Sequence, residues 1–381
     1  EMLRSLVGSE MCIRDRYADC PYYVPSLYID EAEALNPKKN AAFEYCEARP
    51  MLAYKDGVLA GRICGILNHA YNQKWGKHRV RFNRWDVIDD IEVTRALIND
   101  IEKWGKSKGA DEITGPIGFC DMDKQGLLVE GFEEMDLFIT TYNYPYYAQH
   151  LEQLGFKKDA DWVEMQIKMP EKLDERIVKV SEGIMRKLKL RRLEINSVKD
   201  AFPYVNQIFD LLNEAYADLY GVVPLNEGQV EFYKNQFKVI LNPKFVSVVL
   251  NEQDEVVGFG IAAPSMAEAS IKSKGRLFPL GWYRILHSIR KNDTLELLLV
   301  AVKKEYQNKG VNSILITDIY KNAVEFGIKL AETGPELELN EQVQAQWKRF
   351  ETRKHKRRRC NDSQCHRKEC TDYRKSQCHQ R

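Results

Sequence analysis

Apolar residues cluster in short runs at some places along the chain and recur every three to four residues at others, and the two patterns alternate in a definite order. A short helix is expected about Leu27 to Leu35. Pro50 to Tyr54 and Val58 to Leu67 then flank Lys55-Asp56-Gly57, whose Asp-Gly pair favours the positive φ of a tight hairpin turn. A strand over Arg81 to Asp86, a helix over Ile91 to Lys108 ended by Gly109, and a strand over Glu112 to Gly118 follow. Pro145 to Leu154 reads as a helix closed by Gly155-Phe156, and Trp162 to Lys168 as a further strand.

The second half repeats this plan. Ala201 to Tyr220 carries Val205, Ile208, Phe209, Leu212 and Ala215 at helical spacing, and a second helix spans Gln229 to Val239. Phe245 to Leu250 and Glu255 to Ala262 form a hairpin around Glu252-Gln253-Asp254. Leu295 to Val302 is an apolar run suited to a buried strand. The next turn opens a helix through Val311, Ile314, Leu315, Ile319, Ala323 and Phe326, with Gly327 at its end and a strand from Ile328. A helix over Glu341 to Thr352 and a closing strand beginning at His355 to Cys360 complete the copy. Two copies of one supersecondary plan imply two domains of one mixed α/β fold, residues 17–170 and 191–360. Residues 171–190 join them, with a charged helix over Lys172 to Leu188.

The chemistry concentrates in Thr294 to Thr333. A strand running into a helix through a tight turn points the free N–H groups and the positive dipole end of the helix at that turn, which makes an anion site. Gly310 permits close approach of a ligand to the backbone, Lys309 adds a cation and Gln307 a donor. The matching junction of the first half carries Asp86, Asp89, Asp90 and Glu92, which repel an anion.

Composition narrows the remaining choices. The 381 residues include 57 Lys and Arg against 56 Asp and Glu, so net charge selects no polyanionic partner. Basic residues crowd the end, where His355 to Arg359 is the densest run and the basis of a nucleic-acid reading. No apolar run reaches the roughly 18 residues that span a bilayer, so no membrane partner is expected and the protein is placed in the cytoplasm. The cysteines before residue 121 have no metal-ligand spacing and read as reduced thiols; Cys360, Cys365, Cys370 and Cys378 lack the short gaps of zinc modules, so no metal is assigned. Residues 1–16 read as a translated adapter sequence and residues 361–381 as a disordered or non-native tail.

Gln307-Asn308-Lys309-Gly310-Val311-Asn312, set between strand and helix, resembles the pyrophosphate turn of the GNAT superfamily of N-acyltransferases. That turn has the pattern Gln/Arg-x-x-Gly-x-Gly/Ala, and Asn312 departs from its last position. Tyr146 to Phe156 resembles the helix and Leu-Gly-Phe ending that such domains place before their sixth strand. The whole is similar to tandem-domain GNAT-like proteins of bacteria. The resemblance implies a partly splayed central sheet flanked by helices in each half. It also implies that acetyl-CoA or another acyl-CoA is the co-substrate and a small-molecule or peptide amine the acceptor. The cofactor-binding residues it implies are Val300, Val302, Gln307, Asn308, Lys309, Gly310, Val311, Asn312, Ser313 and Asn340. The first half, without the turn, is expected to bind no CoA.

Acyl transfer to an amine needs a base, and Glu296, the one carboxylate inside the central apolar strand, is the first candidate; Glu332 on the neighbouring strand is the second. The Tyr that such enzymes use to protonate the thiolate is replaced by Trp347, leaving Tyr306, Tyr320 or a group of the first half. Tyr142, Tyr144, Tyr146 and Tyr147 read as aromatic core packing rather than an acceptor pocket, and His287 as a helix-surface residue. Gly275 to Trp282 reads as a loop that can cap the site. N-acetyl transfer is the leading expectation. A non-catalytic CoA-binding or ligand-sensing protein and a nucleic-acid-associated protein are the alternatives.

Overall fold

Asp56 and Gly57 take φ values of 51° and 78°, as a two-residue hairpin turn requires, and so join β1 (Cys46–Lys55) to β2 (Val58–Asn68). The computed structural model describes residues 14–365. The remaining strands are β3 (Arg79–Val87), β4 (Glu112–Gly115), β5 (Leu127–Glu130), β6 (Lys157–Lys168), β7 (Arg191–Arg192), β8 (Val246–Leu250), β9 (Val256–Pro264), β10 (Thr294–Val302), β11 (Leu330–Thr333), β12 (Glu336–Leu337) and β13 (Glu351–Gln364). The helices of the first half are α1 (Tyr28–Ala34), α2 (His69–Trp75), α3 (Ile91–Ser107) and α4 (Tyr146–Gln153). After them come α5 (Glu175–Leu188), α6 (Val205–Ala215), α7 (Glu227–Ile240), α8 (Ala267–Ser273), α9 (Gly281–Arg290), α10 (Val311–Phe326) and α11 (Glu341–Ala345).

The strands make one sheet, in the order β1-β2-β3-β4-β13-β6-β11-β10-β9-β8-β7. Within it the two halves keep the same plan. β3, α3 and β4 form a parallel strand-helix-strand unit, and β10, α10 and β11 form its counterpart. The ends of the halves are exchanged. β13, from the end of the chain, lies between β4 and β6 of the first half, while β6 pairs with β11 of the second. Each half's sheet is thus completed by the other's last strand, so the two halves are bound through backbone ladders as well as side chains.

Several expectations near the end of the chain are corrected by this exchange. The helix expected over Glu341 to Thr352 stops at Ala345, passes through a 3₁₀ turn at Gln346–Arg349 and gives way to β13 at Glu351. Residues 361–364, expected in the tail, are strand, because Asn361 to Gln364 face Gly115 to Glu112. Residues 366–381 of the tail, with Cys370 and Cys378, and residues 1–13 of the adapter-like segment lie outside the described residues. The six cysteines at positions 20, 46, 64, 120, 360 and 365 are free thiols.

The run His355 to Arg359 is turned largely inward. Lys356 and Arg358 are almost fully buried, at 1% and 0% exposure, and their partners are carboxylates. Lys356 Nζ lies 2.9 Å from Glu164 Oε2, in ion contact but outside hydrogen-bond geometry, and 3.3 Å from Glu332 Oε2. Arg358 donates to Glu164 Oε1 (2.5 Å) and Asp136 Oδ1 (2.6 Å). Burial alone would raise the Glu164 carboxyl, but Lys356 and Arg358 hold it down to about 2. On the other face Arg357 and Arg359 both reach Asp161.

Candidate functional site

β10 pairs with β11 only over Thr294 to Leu297, where Gly334 N–H closes the ladder on Leu297 O at 2.9 Å. Beyond that point β11 turns away to form β12 against β6, and β10 continues alone on that side with a register shift between Leu297 and Leu299. The sheet is therefore splayed there. Lys303 N–H bonds Val257 O, so by the alternation of an antiparallel ladder Val300 and Val302 turn their backbone polar groups to the open edge. Val300 O accepts the Tyr216 hydroxyl (3.1 Å) and Val302 O the Gln307 amide (3.1 Å).

The opening leads into a cavity of about 760 Å³ between β10, α10 and the segment Gly334 to Phe350. At one end is the turn. Asn308 (φ 59°) and Gly310 (φ 90°) are left-handed, and Gly310 caps α10 with no side chain, which leaves the first-turn N–H groups facing the turn. A Cβ on Gly310 would meet Ile184 Cδ1 of α5 at 2.7 Å, so the linker helix packs directly on the turn. The other end, about 23 Å along β10 at roughly 3.3 Å per residue, is walled by Leu295, Ile167, Ala323 and Ala331 and is apolar.

Of the residues expected to hold a cofactor, Val300, Val302, Gln307, Asn308, Gly310, Val311, Asn312 and Asn340 line this cavity. Lys309 and Ser313 lie off its wall. Lys309 Nζ sits 5.7 Å over the Tyr306 ring. Asn340 caps α11 through Val343 N–H (3.3 Å). Asn312 donates to Gln346 Oε1 and leaves its own Oδ1 buried without a partner.

Glu296 is buried, with 2% exposure, and accepts the Ser265 hydroxyl at 2.6 Å. Burial pushes its carboxyl up to about 7, with the Ser265 bond opposing and Glu332 adding to the rise. It faces a second cavity of about 260 Å³ between the two halves, whose wall also holds Asp30, Arg84, Asp123 and Lys124. Arg84 sits in β3 with φ of 49°, donates Nε to Glu31 (3.0 Å) and keeps Nη1 buried without a partner; the neighbouring Trp85 Nε1 is likewise unpaired. Both cavities have Met122, Asp123, Gln125, Ile139, Phe237 and Leu298 in their walls, so they lie back to back at the splay. Glu332, the other carboxylate candidate, lines neither and is held by Gln166 (3.2 Å) and Lys356.

Glu336 was not among the expected residues. It lines the larger cavity, accepts Trp347 Nε1 at 2.8 Å on one oxygen and leaves Oε2 buried and unpaired. Burial pushes this carboxyl up to about 7 as well, against the Trp347 bond. The tyrosines considered as acids, Tyr306 and Tyr320, both line the cavity, and the Tyr320 hydroxyl is tied to Lys172 O (3.4 Å) and Asp174 N–H (3.3 Å) of the linker. Tyr144 stacks on Tyr17 and Tyr146, Tyr146 stacks on Tyr147, and Tyr142 meets Tyr144 edge-on and also lines the cavity between the halves. His287 is exposed on the last turn of α9. In the first half Asp90 caps α3 through Glu92 N–H (2.9 Å) and pairs with Lys55, so a carboxylate already occupies that helix end.

Comparison with known proteins agrees with this geometry. Residues 205–350 match the model of the acetyltransferase (GNAT) family. A protein of Escherichia coli called YghO is 27% identical over 302 residues, covering 78% of this chain and 76% of that one. A protein of Caulobacter vibrioides named bacterial ceramide synthase is 25% identical over 295 residues, covering 75% of each. A tandem GNAT protein from the clavulanic acid biosynthesis pathway superposes with a TM-score of 0.55 at 10% identity, over 96% of this chain and 97% of that one. Residues 205–350 thus match the acetyltransferase (GNAT) family, and the chain as a whole shares the fold of a tandem GNAT protein.

Proposed function

We propose that this protein transfers an acyl group from acyl-CoA to a primary amine. In this reading the donor lies along β10 and α10 and the amine enters from the cavity between the halves. One observation carries it: Glu296 stands in the wall of a cavity that also holds Asp30, Arg84, Asp123 and Lys124 and that backs onto the splayed, turn-headed cavity suited to acyl-CoA. The turn at Gln307 to Asn312 would take the pyrophosphate, and the N–H groups of Val300 and Val302 would take carbonyls of the CoA arm and steady the oxyanion. Glu296, as carboxylate, would accept the proton of the attacking amine as the C–N bond forms and the C–S bond breaks. Glu336, neutral while its proton is held, would return a proton to the departing thiolate.

Two features favour a fatty chain and a lipid-like amine over acetyl transfer to a small one. The apolar end of the larger cavity offers nothing polar to the CoA arm and suits an alkyl chain. A relative is named a ceramide synthase, and a ceramide is a fatty amide of a long-chain amino alcohol. In the cavity between the halves, Asp30 and Asp123 suit an ammonium group, and the free donors of Arg84 and Trp85 suit its neighbouring oxygen.

The test is calorimetry with acetyl-CoA and palmitoyl-CoA, followed by mass spectrometry of reactions with a panel of amines that includes a long-chain amino alcohol. Tighter binding of palmitoyl-CoA and an amide product support the reading. No binding of either thioester at millimolar concentration overturns it. Binding without transfer to any amine favours a sensor.

A further inference from the structure

Twelve large apolar side chains stand exposed among the described residues, and four of them fall within six consecutive positions: Phe278 at 78%, Leu280 at 55%, Trp282 at 47% and Tyr283 at 56%. Scattered exposed apolar residues need no explanation, but a contiguous patch marks a contact surface. The patch is a built tip rather than a loose loop. It joins α8 to α9, whose inner faces pack through Met266, Ala269, Ile285 and Ile289. Trp282 Nε1 bonds Pro279 O at 3.0 Å, which closes the tip on itself. The rings at the tip therefore project outward because the segment's other apolar residues already face in.

The charges around the tip have one sign. Residues 267–291 hold six Lys and Arg and one acidic residue, Glu268, which is paired with Lys272. Lys272, Lys274, Arg276, Arg290 and Lys291 are exposed. Exposed Trp, Tyr, Phe and Leu at one tip, with exposed basic residues in the flanking segments, is a combination that seats a protein on a lipid surface, where rings enter the headgroup layer and cations meet anionic lipids. No helix among the described residues is long and apolar enough to cross a bilayer, and lying on one needs no such helix. The place in the fold fits a role. α8 and α9 pack on Phe138 and Ile240, and these two with Met266 line the cavity that Glu296 faces.

We propose that the tip Phe278 to Tyr283 docks on the surface of a bilayer containing anionic lipid, which sets the mouth of the interdomain cavity beside the membrane. The inference concerns binding alone and stands or falls apart from acyl transfer. The test is co-sedimentation of the full chain with vesicles of phosphatidylcholine, without and with phosphatidylglycerol. The wild type is expected to pellet with the anionic vesicles, less so as salt rises. The Phe278→Ser, Trp282→Ser double variant is expected to lose partitioning by about tenfold or more, and Lys272→Gln, Lys274→Gln, Arg276→Gln to lose the preference for anionic lipid. Far-UV circular dichroism checks that each variant is folded. A wild type that stays in the supernatant with both vesicles overturns the proposal, as does pelleting that neither variant changes. A wild-type dimer that the double variant renders monomeric, with no vesicle binding, assigns the tip to a second copy of the chain and overturns it too.

Discussion

Glu296 and Glu332 are register partners across the parallel β10–β11 pair, and their surroundings divide them: Glu332 takes Lys356 as its counter-ion, while Glu296 takes the neutral hydroxyl of Ser265. The groups facing Glu296 are Ser265 from the end of β9, Glu332 on β11, Lys356 on β13 and the Phe138 backbone, and their sum with burial holds its proton up to about pH 7. A base must be deprotonated, so kcat/KM for an amine whose own ionisation is separately known is expected to rise with pH through about 7 and then level. Ser265→Ala removes a bond that favours the carboxylate, and the rise should move to higher pH. Glu296→Gln should lower kcat by roughly a hundredfold or more with acyl-CoA affinity retained. A flat profile in the wild type, or a Glu296→Gln enzyme of normal rate, removes Glu296 from the mechanism.

Glu336 and Glu296 together make stability fall with rising pH. Each has a folded pKa of about 7, above its value in an open chain, so the folded state holds protons that the unfolded state has lost between about pH 4.5 and 7. The stabilisation is complete below that window and disappears as pH climbs through it. Glu336→Gln keeps an acceptor for Trp347 and carries no proton to lose. Its Tm is expected to drop less than the wild type's between pH 5 and 8. The difference at the upper end is about 3 kcal/mol at most, since burial there is incomplete. Parallel melting curves for the two proteins would count against the assignment.

How far these features were legible depends on how local they are. Thr294 to Thr333 could be read because the apolar period changes from strand to helix within a few residues and Gly310 and Gly327 mark both ends of α10. The hairpin at Asp56-Gly57 is equally local. β13 was expected as a strand, but its burial was not legible because it depends on partners far away. Glu164 and Asp136 lie about two hundred positions before Arg358, and nothing near His355 to Arg359 announces them. Glu336 escaped notice for a similar reason: it follows Gly334-Pro335 in a segment with no period, and only the fold brings Trp347 against it. The exposed tip at Phe278 to Tyr283 read as a loop since apolar residues beside Pro and Gly give no sign of which way they face.

Gly310 is caught between ligand and linker. Its φ of 90° disfavours any side chain, and a Cβ would press on Ile184 at 2.7 Å. Gly310→Ala is therefore expected to cost about 1–3 kcal/mol in urea unfolding and to weaken acyl-CoA binding, because α5 or the turn must shift. Adding Ile184→Ala relieves the contact and leaves the backbone strain. The double variant should recover part of the binding loss, and a double-mutant cycle reads that coupling directly. Additive losses would show that Ile184 does not press on the turn.

The cluster around Lys356 sets the last expectation. Glu164 is buried with Lys356 and Arg358 as its counter-ions, and Glu332 shares Lys356. Lys356→Met takes the charge away and leaves two carboxylates short of a cation, which should destabilise the protein by about 3–5 kcal/mol. The sign with pH follows from Glu164, whose carboxyl is held down to about 2: its contribution is present above about pH 4.5 and is lost as pH falls toward 2. Urea unfolding at neutral pH should thus show the full penalty of Lys356→Met, and unfolding near pH 3 a smaller one, as protonation of the carboxylates removes the charges left without a partner. Because β13 is internal to the sheet, the same variant should not alter retention on a DNA or RNA resin; a salt-dependent loss of retention would return the basic run to the surface.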